Sequence, residues 1–231
     1  MKTSGKIFIA IFALCLIVTS AAFAQKAAKP FKGVITYSMS YSGTIDAATA
    51  AQQPKMMVVS VLGNITKTEI NAGPVVIDMI TNGDAKTATT LIDMMGQKKY
   101  YKMTTAEIDA KVAEAGTPDI KYTEETKVIA GYTCKKAEYT TKDAEGNATT
   151  TVIYYCEELG GVDANYGGQF TGLKGMPLEY EATQNGVITK ISATEVKKGK
   201  VKDTDFLVPS DYTELTPEEK QQIIDQFSGK E

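Results

Sequence analysis

The sequence predicts a mainly β protein with few helices, built from antiparallel strands. Three observations point to this class. Short runs rich in Val, Ile, Thr and Tyr alternate apolar and polar residues, turns containing Gly or Asn separate these runs, and helical periodicity is confined to a few segments. Because no low-complexity linker divides the chain, we expect residues 25–231 to form a single domain.

Residues 1–24 have the pattern of an export signal peptide. Lys2 and Lys6 form a basic start, residues 7–18 are an almost unbroken apolar run, and a small-x-small cleavage site ends at Ala24. The run is shorter than the roughly 20 apolar residues that cross a bilayer. We expect cleavage after Ala24, no transmembrane segment in the mature chain and a periplasmic location, with secretion beyond the envelope as the alternative.

Alternating runs define the strands in chain order. In the first half they predict strands over 32–41, 56–62, 64–71, 74–81, 85–95 and 98–103. In the second half they predict strands over 120–129, 133–141, 148–157, 176–182 and 187–197, with a short extended piece over 206–208. The dipeptides Asn82-Gly83 and Asn185-Gly186 each separate two strands and are the strongest short signal for a tight hairpin.

The first predicted helix covers residues 105–115. Thr104 or Thr105 is its N-cap, and Ile108 and Val112 lie on one face, four positions apart. We expect the Ala-rich residues 46–53 to form a short helix or a loop. The glycine-rich residues 159–172 are predicted to be a loop.

The second predicted helix covers residues 215–227. Thr216 and Glu219 have the spacing of a capping box, and Pro217 suits the first turn. Its apolar stripe consists of Ile223, Ile224 and Phe227. This stripe is too small to cover a sheet of ten or so strands, so either the sheet closes on itself or a cavity remains.

The composition excludes several classes of function. The chain has 25 basic residues, all of them lysine, 28 acidic residues, no His and no Trp. Removal of residues 1–24, with their two lysines, changes the net charge from −3 to −5, which is a poor match for nucleic acid. The absence of His excludes Ser-His-Asp and Cys-His catalysis and the common His-containing zinc sites. We expect no enzyme, no cofactor and no metal.

Cys134 and Cys156 are the two cysteines of the mature chain. A hairpin centred on Glu145 pairs residues whose numbers sum to 290, and the numbers of the two cysteines do so. Facing residues at a non-hydrogen-bonded site have Cα atoms about 4.5 Å apart, near the short end of disulfide reach. We expect one structural disulfide, as is usual in exported proteins. The alternative is a redox-active pair, which usually has C-x-x-C spacing.

Asp78 and Asp93 each interrupt an apolar stretch. Two such carboxylates could form an acid/base couple, which leaves a carboxylate-based enzyme as one alternative function. We expect instead that each lies on the solvent face of a half-buried strand, or bonds locally near a strand end.

Methionine is enriched on the predicted strands. Its flexible, polarisable side chain suits surfaces that accept variable apolar shapes, and it also fills ordinary cores. If the concave face of the sheet keeps a cavity, we expect the following side chains to line it: Met56, Met79, Met94, Met103, Met176, Ile223 and Phe227.

The basic run over residues 197–202 has two interpretations. Such a run is more often a solvated loop that blunts a sheet edge, and we expect this. The alternative is contact with anionic lipid head groups.

Several segments resemble those of a known family. Residues 127–134 are Lys-Val-Ile-Ala-Gly-Tyr-Thr-Cys, residues 172–179 are Gly-Leu-Lys-Gly-Met-Pro-Leu-Glu, and residues 206–212 are Phe-Leu-Val-Pro-Ser-Asp-Tyr. With these K-x-I-x-G-Y-x-C and G-x-P-L-type segments, the chain resembles a family of exported Gram-negative envelope proteins of unknown function. It is also distantly similar to lipoprotein-carrier and lipoprotein-receptor half-barrels.

The resemblance implies a strongly curved antiparallel sheet or half-barrel, with one or two helices on its concave side and an apolar cavity. It implies non-catalytic binding of an apolar or lipid-like ligand in the periplasm. The alternative is an envelope protein–protein interaction module with a solid core. One departure concerns function: dedicated lipoprotein carriers latch the cavity with an arginine, and this chain has none.

Overall fold

Twelve strands form one open, curved sheet in the part of the chain that the computed structural model describes, residues 29–142 and 146–228. This confirms the predicted mainly β fold. The strands are β1 (Lys32–Gly43), β2 (Met56–Leu62), β3 (Ile65–Ala72), β4 (Val75–Asn82), β5 (Thr87–Met94), β6 (Gln97–Met103), β7 (Asp119–Ile129), β8 (Tyr132–Lys142), β9 (Ala148–Cys156), β10 (Met176–Gln184), β11 (Val187–Lys198) and β12 (Thr213–Glu214). The predicted signal peptide and the side chains of residues 224–228 lie outside the described residues.

The order of the strands shows how two groups of consecutive strands combine. Across the sheet they follow β12-β6-β5-β4-β3-β2-β1-β11-β10-β9-β8-β7. Neighbours are antiparallel except β12 and β6, which are parallel. The pair β1–β11 joins the meander β1–β6 to the meander β7–β11, so the curved sheet has a concave face shared by both.

Side-chain caps explain where the helices begin. The helices are α1 (Ala47–Gln52), α2 (Thr105–Glu114) and α3 (Pro217–Ser228). Asp46 accepts the N–H groups of Ala48 and Thr49 at the start of α1. Thr104 caps α2 in a capping box, and Thr216 and Glu219 exchange the corresponding bonds at α3. The predicted caps at both longer helices are therefore confirmed.

Both hairpins predicted at Asn-Gly dipeptides are present, with turns of different length. At Asn185-Gly186 the flanking residues pair directly, and both turn residues have positive φ, 51° and 76°. At Asn82-Gly83 the predicted hairpin between β4 and β5 is also present, but its turn is wider, because Asn82 pairs with Thr87 and leaves a four-residue loop. The cause is the Asn82 side chain, which accepts the N–H groups of the two residues after Gly83 and so begins a wider turn.

The two faces of the sheet bury different clusters. On the concave face, Tyr37 lies opposite Met57, and Met57 lies opposite Ile70. This face carries the larger core, which extends into β7–β11. On the convex face, a smaller cluster lies between the sheet and the segment 199–212, and it contains Ile80, Leu91, Val201 and Phe206.

The chain beyond β11 departs from the predictions in two ways. Residues 206–208 were expected to be extended; Leu207 is extended, but Phe206 ends a 3-10 turn over Asp203–Phe206 that places its side chain in the convex cluster. The basic run was expected to blunt a sheet edge, but β11 is an inner strand between β1 and β10. The lysines are exposed at its end, where Gly199 and Lys200 turn the chain with positive φ.

Candidate functional site

A cavity of about 370 Å³ lies on the concave face of the sheet. Strands β1–β6 form one side of it, β10 and β11 continue the wall, and residues 164–170 cover it. Its volume falls within the range of roughly 300–1,000 Å³ that is usual for small-molecule sites. Its large apolar lining side chains are Tyr37, Met39, Met57, Val59, Ile70, Met79, Met103, Phe170, Met176, Tyr180 and Ile191.

The register of the strands explains which side chains face the cavity. Val59 lies opposite Thr68, Thr68 opposite Met79, and Met79 opposite Thr90, so one row crosses β2 to β5. All four residues line the cavity. Because side chains alternate along a strand, the intervening residues, such as Asp78, face the convex side instead.

The segment that joins β9 to β10, residues 157–175, covers the cavity, and we call it the cap segment. Its Phe170 ring packs edge-on against Tyr139 and Tyr180, with centroids 5.3 and 4.7 Å away. Its Asn165 donates both amide hydrogens to the carbonyls of Leu173 and Gly175, each at 2.9 Å. The glycine-rich loop predicted from the sequence is therefore an ordered element that packs onto β8 and β10.

Polar contacts join the cap segment to the opposite side of the cavity. Lys86 Nζ lies 2.8 Å from Asp163 Oδ1 and 4.3 Å from the centroid of the Tyr166 ring. The Tyr166 hydroxyl donates to Asp109 of α2 at 3.1 Å. A Cβ atom on Gly83 would lie 1.9 Å from the Asp163 carbonyl oxygen, so this approach requires glycine.

Helix α2 lies beside the cap segment on the concave side. Its one buried side chain is Ile108, and a Cβ atom on Gly167 would lie 2.8 Å from the Cγ2 atom of this isoleucine. The first turn of α3 is close to α2, because Lys220 Nζ bonds to Glu107 and lies over the Tyr101 ring. Tyr101 is on the concave face, opposite Thr90. This agrees with the expectation of one or two helices on that side.

The cap segment covers the cavity, and the described part of helix 215–227 takes no part in this. The sequence predicted that this helix would partly fill the concave face. The side chains of α3 are described through Ile223, and none of these lines the cavity. The reason is that β12 pairs with β6 at the sheet edge and starts α3 there, beside Tyr100 and Lys99.

The interior around the cavity gives little stabilisation to charged groups. Burial raises the pKa of the Tyr37 hydroxyl well above its ordinary value and raises the pKa of Tyr180 to about 12. The Tyr37 hydroxyl donates to the carbonyl of Pro177 at 3.0 Å. None of the described residues that line the cavity carries a charge.

The cavity opens to solvent at Met79. This residue lines the cavity, yet its side chain is 42% exposed, whereas Tyr37 at the back is 1% exposed. A ligand that entered here would pass over a methionine side chain before it reached the aromatic back wall. Such an arrangement can accept an apolar chain of variable shape.

The structure brings together three of the seven residues predicted to line a cavity. Met79, Met103 and Met176 line it. Met56 is 56% exposed on the opposite face of β2, and Met94 is 45% exposed on the concave face beyond the cavity. Ile223 is half-buried away from it, and the Phe227 side chain lies outside the described residues.

Sequence reasoning missed other lining residues. The apolar ones include Met39, Met57, Tyr37, Phe170 and Tyr180. In β2, alternation from the polar Ser60 would have placed Met56 on the outer face and Met57 on the inner one. The cap segment gave no periodic signal, so Phe170 could not be assigned to any face.

A second cavity of similar volume lies on the convex face and has a different character. Four charged side chains, Lys67, Glu69, Lys200 and Asp205, line it together with Val34, Leu207 and other residues. Charged walls of both signs suit water and ions better than an apolar chain. The concave cavity is therefore the better candidate for an apolar ligand.

Asp78 and Asp93 both point to the convex face, and neither lines the concave cavity. Asp93 accepts the N–H of Gly96 at 2.7 Å, a local bond near a strand end as predicted. Asp78 is 8% exposed, so the expectation of a solvent-facing carboxylate is wrong for it. The segment 199–212 covers this face, and Lys67 pairs with Asp78 there at 2.8 Å.

The two cysteines lie where the hairpin register predicts. Lys135 pairs with Tyr155 and Lys142 with Ala148, so the numbers of paired residues sum to 290. Cys134 and Cys156 occupy the next positions, and both are buried as thiols. Burial, with a smaller effect of Cys156, raises the pKa of Cys134 to about 11. The disulfide between them stays a prediction.

Within residues 29–142 and 146–228, no helix is long and apolar enough to span a membrane. The same residues contain no group of three or more Cys, Asp or Glu side chains placed to hold a metal ion.

Comparisons with known proteins give only distant similarity. No family model matches the chain, and no curated protein sequence matches it. The chain is similar to a solved domain from Vibrio parahaemolyticus that is described as an outer-membrane lipoprotein-sorting protein. The identity is 12% and the TM-score 0.23, over 76% of this chain and 89% of that one. It is also similar to LprF from Mycobacterium bovis, with 12% identity and a TM-score of 0.28 over 74% and 88% of the two chains. Because the TM-scores are this low, we infer neither structure nor function from these two proteins.

Proposed function

We propose that this protein is a non-catalytic, exported protein that binds an apolar or lipid-like ligand in the concave cavity. The observation that carries the proposal is the cavity itself: about 370 Å³, open at Met79, lined by methionine and aromatic side chains and by no charged described residue. A site of this kind favours apolar matter, because each buried CH₂ group contributes roughly 0.8 kcal/mol.

Export is proposed from the sequence alone. The basic start, the apolar run and the small-x-small site at Ala24 support a periplasmic location for the mature chain. The resemblance to exported Gram-negative envelope proteins agrees with it. N-terminal sequencing of protein from the producing cell should begin at Gln25, and an uncleaved cytoplasmic product would contradict this part of the proposal.

The test of binding uses one residue of the cavity and one matched residue outside it. Met79 and Met94 both lie on the concave face and have similar exposure, 42% and 45%, but only Met79 lines the cavity. We expect Met79→Gln to weaken binding of the hydrocarbon probe diphenylhexatriene about fivefold, since it removes apolar contact in the site. Met94→Gln should bind the probe as the unchanged protein does.

The outcomes distinguish ligand binding from a solid interaction module. Both substitutions are at partly exposed positions, so each should change the free energy of unfolding by less than about 1 kcal/mol. Ligand co-purification, analysed by mass spectrometry after mild extraction, should identify an apolar molecule. If the native protein takes up no probe and no ligand co-purifies, the protein–protein interaction module becomes the better proposal.

A further inference from the structure

Four threonines form an uncharged polar patch in the floor of the apolar cavity. Thr66 lies opposite Thr81, and the next row places Thr68 opposite Met79 and Met79 opposite Thr90. All four threonines line the cavity, and we call them the threonine patch. They lie on β3, β4 and β5, whereas the aromatic side chains of the cavity come from β1, β10 and the cap segment.

The hydroxyls of this patch have bonding capacity left over. Thr66 is 6% exposed, and its Oγ1 atom lies 3.1 Å from Oγ1 of Thr81. One bond between two hydroxyls uses one of their two hydrogens, so the other can donate to an occupant of the cavity. Both oxygens also keep acceptor capacity.

The patch is not explained by packing alone. Threonine has the shape of valine, and both favour strands, but a buried hydroxyl costs free energy unless it is hydrogen-bonded. A cavity that held only hydrocarbon would be better lined by valine at Thr66 and Thr81. The neighbouring strand β2 does place Val59 and Val61 on this face, opposite Thr68 and Thr66.

The absence of charge among the described lining residues restricts which head group the cavity can bind. An ionised head group in the cavity would have no lysine or carboxylate to pair with there. Burying an unpaired charge costs far more than burying a hydroxyl. A neutral polar group, in contrast, can exchange hydrogen bonds with Thr66 and Thr81.

We infer that the cavity selects neutral amphiphiles, in which an apolar chain lies over the methionines and an uncharged hydroxyl, ester or amide group bonds to the threonine patch. This inference rests on the proposed binding function and names the class of ligand. Molecules with the same chain and an ionised head group are excluded from the patch.

The first experiment compares ligands that share one chain. Dodecanol, methyl dodecanoate and dodecanoate compete with diphenylhexatriene at pH 8, where the carboxylate is fully ionised, and all are used below their aggregation limits. We expect the two neutral ligands to bind about tenfold more tightly than dodecanoate. The anion would lose its hydration on binding and find no charged partner in the cavity. Equal or tighter binding of dodecanoate would overturn the inference.

The second experiment tests the patch itself. The double variant Thr66→Val/Thr81→Val keeps the shape of the cavity and should bind dodecanol about fivefold more weakly. It should bind diphenylhexatriene more tightly, since valine adds apolar contact and that probe forms no hydrogen bond. Thr133→Val, at an exposed position of β8, is the matched control and should change neither affinity.

The two experiments separate this inference from the proposed function. If the unchanged protein does not bind diphenylhexatriene, the proposed function fails, and the inference fails with it. If it binds the probe but the double variant keeps full affinity for dodecanol, only the selection of neutral amphiphiles is wrong. A double variant that loses the probe as well would show that the threonines maintain the cavity instead of recognising a head group.

Discussion

Lys67 Nζ lies 2.8 Å from Asp78 Oδ2 on the convex face, while Asp78 Oδ1 is buried without a hydrogen-bond partner among the described residues. The two side chains are 23% and 11% exposed, and they lie on neighbouring strands, β3 and β4. One oxygen of this buried carboxylate is paired with the Lys67 ammonium, and the other has no hydrogen-bond partner among the described residues. The carboxylate therefore depends on that one cation for its stabilisation.

Removing that cation should be costly. We expect Lys67→Met to lower the free energy of unfolding by about 2–3 kcal/mol, somewhat less than for a fully buried pair, because the lysine is partly exposed. Lys67→Met/Asp78→Leu, which removes both charges, should lose less than the single variant. Urea unfolding measures both, and a double variant that is less stable than the single one would contradict the argument.

An exposed ion pair on the same sheet is the control. Lys121 and Glu138 lie 3.2 Å apart with side chains 71% and 35% exposed. Solvent screens such a pair, so Lys121→Met should cost less than about 0.5 kcal/mol.

The sequence alone predicted the strands and their register wherever apolar and polar residues alternate regularly. The register of β8 and β9 followed from the midpoint at Glu145, and the capping box at Thr216 located the start of α3. It was insufficient for β12, since two residues carry no periodicity, and their parallel pairing with β6 is a tertiary contact. That short pairing places the start of α3 at the sheet edge, so its described side chains do not line the cavity.

The candidate site was only partly predictable for a related reason. Enrichment in methionine pointed to the correct face at Met79 but not at Met56, because the apolar run in β2 hides which side chains face inward. The burial of Asp78 also depends on a distant segment, 199–212, that folds across the convex face. Neither fact is contained in the local pattern of a strand.

Glu107 should make the contact between α2 and α3 sensitive to acid. Hydrogen bonds from Lys220 and from the Thr104 backbone lower the pKa of Glu107 from 4.5 to about 2. Because the folded-state pKa is below the unfolded-state value, the stabilisation is present above about pH 4.5 and is lost as pH falls towards 2. Glu107 is mostly exposed, so screening limits the effect to about 0.5–1 kcal/mol.

The measurement is the free energy of unfolding between pH 5 and pH 2 for the unchanged protein and for Glu107→Gln. We expect the difference between them to shrink as pH falls through this window. Glu114→Gln, at an exposed position of the same helix, is the control for loss of charge alone. A difference that is constant with pH would show that Glu107 does not act through its ionised form.

Gly83 should control how closely the cap segment approaches β4 and β5. In Gly83→Ala the new Cβ would lie 1.9 Å from the Asp163 carbonyl oxygen, so the backbone of the cap must move. We expect a loss of about 1–3 kcal/mol in stability and faster release of diphenylhexatriene in stopped-flow measurements. Gly161→Ala is the matched control, because Gly161 has φ −91° and its Cβ would meet no atom closer than 3.9 Å. Equal behaviour of the two variants would mean that the cap does not need this contact.

Cys134 and Cys156 should be joined in the exported protein. They are buried at facing positions of the β8–β9 hairpin, and the bond should stabilise the fold by about 3 kcal/mol or less, because the hairpin is already local. Burial raises the pKa of both thiols, to about 11 for Cys134, and the thiolate is the reactive form. We therefore expect the bond to form while the two thiols are still accessible, during folding in an oxidising compartment.

Two measurements check this order of events. Unreduced, unfolded protein from the periplasm should contain no free thiol, whereas protein folded under reducing conditions should resist iodoacetamide at pH 7 and react only after unfolding. Cys134→Ala/Cys156→Ala should match the reduced protein in stability to within about 1 kcal/mol, since it lacks the same cross-link but keeps the hairpin. Two free thiols in the exported protein would contradict the disulfide. Rapid alkylation of the folded, reduced protein would contradict the effect of burial on thiol reactivity.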